Sequence, residues 1–249
     1  MGRRIAATAT RTVKGARRAS NQDRHLVDDE LGVVLLADGV AGRPAGERAA
    51  ELAINAAFTQ LALALHRGPV DLPLATTALT DAFRFAHAAV EQAARRDESL
   101  RNMASTLVGC IFVDGHVVVA SIGDSRAYRL RHAFLKQMTT DHVVHHDGLA
   151  ELPIEDARAV RPLVQLLTRA VGNALSAEPD VHVEAVAERD VLLFCSNGLS
   201  DVLERHAMAE VLLGADSLEV ACDRLVEAVA GADDDVTVVL VRPASRGNA

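Results

Sequence analysis

A chain of 249 residues that is 49% hydrophobic but only 3% aromatic, with no Trp, can bury a substantial core and must build it from Ala, Val and Leu. Its formal net charge of −8 argues against a general nucleic-acid binder, which carries a basic excess, and no apolar run reaches the roughly 18 residues of a membrane span. Cys110, Cys195 and Cys222 lie in apolar or amphipathic runs. An odd, widely spaced set reads as reduced, buried thiols of a cytoplasmic protein, and none opens the Cys-x5-Arg loop of a cysteine-nucleophile phosphatase.

In chain order, Arg3, Arg4, Arg11, Lys14, Arg17 and Arg18 precede the first acid, Asp23. They are compatible with a basic arm or targeting peptide, although the apolar core of a secretory signal is missing and Ala6 breaks the myristoylation pattern. The first strand-like run is "GVVLLAD", 32–38. Two helical segments follow: Ile54, Phe58, Leu61 and Leu65 share one face, closed by Gly68-Pro69, and Leu79, Ala82, Phe83, Ala86 and Val90 repeat the spacing. The apolar runs 106–113 and 116–122 are joined by Asp114-Gly115, a two-residue signal for an antiparallel hairpin. Further strands are predicted at 126–130, 180–186, 190–196 and 236–242. Helical stretches at 199–213 and 217–230 precede the last of these, with Gly231 as a stop. Helices thus arrive in pairs between groups of antiparallel strands, which predicts an α+β layering rather than a βαβ chain. No linker or repeat intervenes, so 1–249 reads as one domain.

Acids stand at the ends of these strands. Asp38 closes the first, Asp124 follows the hairpin, and Asp233, Asp234 and Asp235 open the last, while "GARRASNQD" groups Arg17, Arg18 and Asp23. Singly, Asp-Gly after a strand is a turn, and three Asp before a strand are a solvated loop or helix cap. Several acids flush against hydrophobic strands are costly to desolvate unless paired or bound to metal. Carboxylates gathered at one sheet edge suit hard cations such as Mg2+ or Mn2+.

Seven blocks in order resemble the metal-dependent Ser/Thr protein phosphatases of type 2C, bacterial branch. "GARRASNQD" is similar to that family's G-x-x-R-x-x-N-[EQ]-D and "ADGVAGRPAGERAA" to its A-D-G-M-G-G-H-x-x-G-E-x-A-S. "STLVGCIFVDGHVVVASIGDSRAYRLR", "TTDH", "LTRAVG", "DVLLFCSNGLSDVL" and "GADDDVTVVLV" follow. The resemblance implies a four-layer α/β/β/α sandwich, two antiparallel sheets flanked by helix pairs, with a binuclear Mn2+ or Mg2+ centre at one end. By that resemblance Asp38 bridges two ions, Gly39 ligates through its carbonyl, Asp234 completes the first ion, and Arg18 holds the substrate phosphate. Asp23 holds metal-bound waters, and Asp124 serves a weak third ion. A water bridging the two ions attacks phosphorus, without a phospho-enzyme.

The pattern is broken in four places. Asn197 stands where the family's S-D-G carries a metal-binding acid; its amide carbonyl can ligate but brings no charge. Asp235 stands where Asn is usual after the ligand Asp, so either the Asp233–Asp235 run partly restores the missing carboxylate or Asp235 is plain loop solvation. Val40 and Arg43 lie where some relatives place a histidine general acid, which leaves protonation of the departing serine oxygen to a metal-bound water. His142, His145, His146 and Asp147 occupy the variable flap region, where histidines tune substrate choice or pH response; a zinc site there would need a fixed tetrahedral set.

The resemblance implies a Mn2+- or Mg2+-dependent phosphatase for phosphoserine and phosphothreonine of proteins, a monomer opposing a bacterial Ser/Thr kinase, with no nucleic-acid or membrane partner. The alternative is a catalytically weakened pseudophosphatase, a phosphoprotein- or partner-binding module, to which Asn197 points. A nucleotide-binding reading of Gly39, Gly42 and Gly46 lacks a P-loop Lys.

Overall fold

The computed structural model describes residues 4–40, 45–66, 68–144, 167–172 and 177–244. Among these, ten strands form two five-stranded sheets in which every neighbouring pair is antiparallel. One sheet takes its strands in the order β1 (Ile5–Val13), β10 (Val236–Pro243), β9 (Val191–Cys195), β6 (Arg126–Arg131) and β7 (Phe134–Gln137). The other runs β2 (Asp23–Asp28), β3 (Val33–Asp38), β4 (Leu107–Val113), β5 (His116–Ile122) and β8 (Asp180–Ala185).

Alternation along the strands explains the layers. On β3, Val34 and Leu36 join Val108, Cys110, Val117 and Val119 in facing Leu192, Phe194, Val239 and Val241 of the other sheet. The intervening Val33, Leu35 and Ala37 point the opposite way, onto helices α1 (Gly46–Leu65) and α2 (Leu72–Arg96). Both faces are therefore dry, which is why the run reads as continuously apolar rather than alternating. The far face of the first sheet is covered by α4 (Arg205–Leu213) and α5 (Leu218–Ala228), through Met208, Leu212, Cys222 and Leu225. The resulting order is helix, sheet, sheet, helix, as the paired helices imply.

The helices follow their sequence cues closely. Asp71 caps α2 by accepting the Leu74 N–H at 2.9 Å, and the face Leu79, Ala82, Phe83, Ala86, Val90 is buried. Helix α1 begins earlier than Ile54 suggests, at Gly46, because its first two turns bury Ala49, Ala50 and Ala53, small residues that let it lie close to the sheet. Asp114 and Gly115 both take positive φ, 46° and 72°, in the hairpin turn between β4 and β5. The stretch expected as one helix over 199–213 divides into a single turn, α3 (Asn197–Ser200), and α4.

Within the basic N-terminal segment, the described residues do not form a free arm. Residues 5–13 are an edge strand paired with β10 from Ile5↔Pro243 to Val13↔Val236, and Arg11 is hydrogen-bonded to Asp223. The three thiols are free and buried, and among the described residues no helix is long and apolar enough to cross a membrane.

Candidate metal and phosphate site

The antiparallel register gathers the acids. Asp23 begins β2 opposite Asp38, which ends β3. At the same end β5 stops at Ile122, ahead of Asp124, and β9 stops at Cys195, ahead of Asn197, while β10 starts just after Asp235. Strand ends far apart in sequence thereby meet at one edge of the sandwich.

Asp38 sits at the centre. Its backbone is fixed by Thr106, whose Oγ1 accepts the Asp38 N–H at 3.0 Å and whose N–H reaches the Asp38 carbonyl at 2.8 Å; Ser105 Oγ adds a bond to the same carbonyl at 2.9 Å. Its carboxyl is driven well above the usual carboxylate range, first by burial and then by the negative charges of Asp23, Asp234 and Asp124. Asp23 is also buried, and loss of solvent pushes its carboxyl up to about 6. Ser196 Oγ donates to Asp23 Oδ2 at 2.8 Å, while Asp23 Oδ1 has no hydrogen-bond partner. Gly39 lies so close to the start of α1 that a Cβ would fall 2.3 Å from the Gly46 carbonyl carbon; only glycine admits this approach.

Asn197 opens the α3 turn immediately after Ser196, and its Oδ1 is a buried carbonyl oxygen without any hydrogen-bond partner. A buried acceptor left unpaired costs on the order of 1–3 kcal/mol, so this oxygen marks a place for a donor or a cation. Asp234 is held by Arg18, whose Nε lies 2.8 Å from Asp234 Oδ1 and whose Nη2 bonds the same atom. Asp235 departs from the solvated-loop reading of its sequence. It is 1% exposed, so it is no solvated loop residue. Both its oxygens are engaged by backbone, Oδ1 by the Gly15 N–H and Oδ2 by the Gln22 N–H, each at 2.8 Å.

Asp124 is buried, and its carboxyl is pushed up to about 7, mainly by burial and then by Asp201 and Asp141, against the pull of Arg126. Arg126 forks onto Asp141, with Nη2 at 2.6 Å, and reaches the Ser200 carbonyl at 3.1 Å. His142 is a buried structural residue: Nδ1 accepts the Gly123 N–H at 3.1 Å, and Nε2 faces Asp180 Oδ2 at 3.0 Å. With both ring nitrogens engaged it has none to offer a soft metal. Arg43, His145, His146 and Asp147 lie outside the described residues.

The donors fit hard divalent cations. Three carboxyls raise that of Asp38 and so attract positive charge, and Asp23 Oδ1 and Asn197 Oδ1 are buried oxygens awaiting a partner. Among the described residues no three of His, Cys, Asp or Glu are gathered as a metal-holding group, so a cation here would have to draw on carboxylates together with amide and peptide carbonyls.

A family model described as protein phosphatase 2C matches residues 14–213. The chain belongs to the protein phosphatase 2C family. The serine/threonine phosphatase stp of Listeria monocytogenes is 31% identical over 241 residues, 93% of each chain. The serine/threonine protein phosphatase PstP of Mycobacterium tuberculosis is also 31% identical, over 93% of this chain and 44% of its own length. A crystal structure of the catalytic domain of PstP in complex with two manganese ions superposes with a TM-score of 0.79 at 29% identity, covering 96% of this chain and 98% of that one.

Within this protein phosphatase 2C chain several contributors are silent in the sequence. Ser196, Ser105 and Thr106 look like ordinary strand-end residues, yet they fix Asp23 and Asp38. Gly15 and Gln22 act through their backbone N–H groups alone, which no side-chain pattern announces. Asp180, 38 residues from His142, reads in the sequence as an ordinary strand residue. Asp141 was legible only as the D of "TTDH".

Proposed function

We propose that this chain hydrolyses phosphoserine and phosphothreonine on proteins, in the cytoplasm, with two divalent cations, Mn2+ or Mg2+, held by Asp38, the Gly39 carbonyl, Asn197 and Asp234. The observation that carries the reading is the buried, partnerless Asn197 Oδ1 at the same strand edge as a carboxyl raised by burial and three acidic neighbours. When bound, such cations supply Lewis acidity and offset charge on phosphoryl oxygens. Asp23 Oδ1 takes up the proton released as water attacks phosphorus and gives it to the serine or threonine oxygen as its P–O bond breaks, while Ser196 holds the other carboxylate oxygen in place. Arg18 presents a guanidinium suited to two phosphate oxygens; without phosphate it bonds Asp234 Oδ1, which also accepts the Asp235 N–H at 2.7 Å. Asp124 is the candidate for a weak third ion. No side chain acts as a nucleophile.

A second reading has support from the same place. Asn197 brings an oxygen but no charge, which favours a weakened phosphatase that binds phosphoproteins without turnover. Phosphate release from a phosphoserine peptide, in Mn2+ and after chelation, decides between them. The enzyme reading requires release in Mn2+ that stops in chelator. Peptide binding with no release in either condition establishes the binding module.

A further inference from the structure

The geometry points to Asp235 as a positioning residue that holds the loop carrying Arg18, and so sets affinity for the substrate phosphate rather than for metal. The inference rests on the role proposed for Arg18. Residues 15–22 leave β1 and return at β2, and Arg18 lies between their two ends. Asp235 closes this loop from inside: Oδ1 takes the N–H of Gly15 and Oδ2 the N–H of Gln22, each at 2.8 Å. The carboxylate is buried, so these charge-assisted bonds are shielded from competing water, the Gly15 bond fully and the Gln22 bond in part. The loop is also pressed onto the strand entry. The Ala16 N–H reaches the Ala232 carbonyl at 2.9 Å, and a Cβ on Gly15 would stand 2.4 Å from the Asp234 carbonyl carbon. Lys14 Nζ ties down the far side of the loop, 2.6 Å from the Arg18 carbonyl.

The chemistry explains why an acid serves here. A carboxylate presents acceptors on both arms, whereas an asparagine would turn an NH2 donor toward one of the two N–H groups. One end of the loop would then face donor against donor. Each carboxylate oxygen of Asp235 takes one backbone N–H, and its charge acts through the backbone that places Arg18.

The test uses inorganic phosphate as the probe, titrated calorimetrically into the Mn2+-loaded full chain, so that it does not depend on turnover. Asp235→Asn should weaken phosphate binding about 10-fold, the effect of losing a hydrogen bond to a charged group, with Mn2+ affinity unchanged. In an Arg18→Ala background the same substitution should cause no further loss, because the two changes act through one contact. If Asp235→Asn weakens Mn2+ binding instead, or adds its full loss in the Arg18→Ala background, the positioning role is overturned while the Arg18 reading stands. If Arg18→Ala itself leaves phosphate affinity intact, the Arg18 reading fails and takes the inference with it. Should Asp235→Asn not fold, Gly15→Ala, which pushes the loop off Asp234 and leaves the acid in place, must show the same loss of phosphate affinity.

Discussion

Replacing Asn197 with Asp adds one negative charge where a buried amide oxygen now has no partner. Asn197 follows Ser196, whose hydroxyl lies 2.8 Å from Asp23 Oδ2, and Asp23 stands opposite Asp38 across the β2–β3 ladder. Without metal, the new carboxylate joins a group in which burial and the charges of Asp23, Asp234 and Asp124 already raise Asp38. An uncompensated charge in such a place costs on the order of 1–3 kcal/mol, and each kcal/mol lowers the unfolding midpoint by about 2–4 °C in a chain of this size. With metal the sign reverses. Even residues that merely hydrogen-bond to metal ligands change affinity by about 10- to 100-fold, or ~1.4–2.7 kcal/mol, and a charged ligand oxygen should gain at least that. Calorimetric Mn2+ titration, with thermal unfolding in chelator and in excess Mn2+, reads both effects. Asn197→Asp should lower the midpoint in chelator and bind Mn2+ at least tenfold more tightly. A variant that binds Mn2+ no better than wild type, or loses equal stability in both conditions, refutes the reasoning.

Two further predictions concern the frame around the site. Gly198→Ala would place its Cβ 2.1 Å from the Asp235 carbonyl oxygen, and overpacking against backbone costs about 1–3 kcal/mol; an unchanged urea midpoint would contradict this packing. Asp190 is 2.6 Å from Arg131 Nη2 and accepts the Ala187 N–H at 2.8 Å. Burial alone raises its carboxyl, but these bonds and the nearby arginine charges outweigh it and leave the group below its ordinary 3.8. A depressed folded value contributes stability that is present above 3.8 and lost as pH falls through the lowered value. Asp190→Asn should therefore cost about 1–3 kcal/mol at neutral pH and flatten the acid limb of a stability–pH curve; a limb as steep as wild type would exclude Asp190 as its source.

Most of the architecture was legible because the inner strands are dry on both faces. Runs such as 32–38 and 190–196 carry their assignment in composition, and Asp114-Gly115 carries the hairpin. The edges were not. β1 mixes Thr and Arg with small residues and owes its existence to β10, more than 220 positions away by the Ile5↔Pro243 pairing; no local pattern encodes that partner. β2, "DRHLVD", reads as a charged loop until it is laid against β3. At the site, Asp38 is legible as an acid flush against an apolar strand, whereas Asn197 reads alone as a turn residue and gains a role only through the family resemblance. Asp235 was visible as a residue but not as a role, since its partners are the backbone N–H groups of Gly15 and Gln22.

The central claim is that Asp38 organises a working phosphatase centre. Its most direct test is the rate of phosphate release from a phosphoserine peptide in saturating Mn2+, wild type against Asp38→Asn. Loss of the Asp38 carboxylate, proposed to hold both cations, should cut kcat/KM by about 100-fold or more, at least ~2.7 kcal/mol of transition-state stabilisation. Wild-type release that survives unchanged in Asp38→Asn would contradict the account.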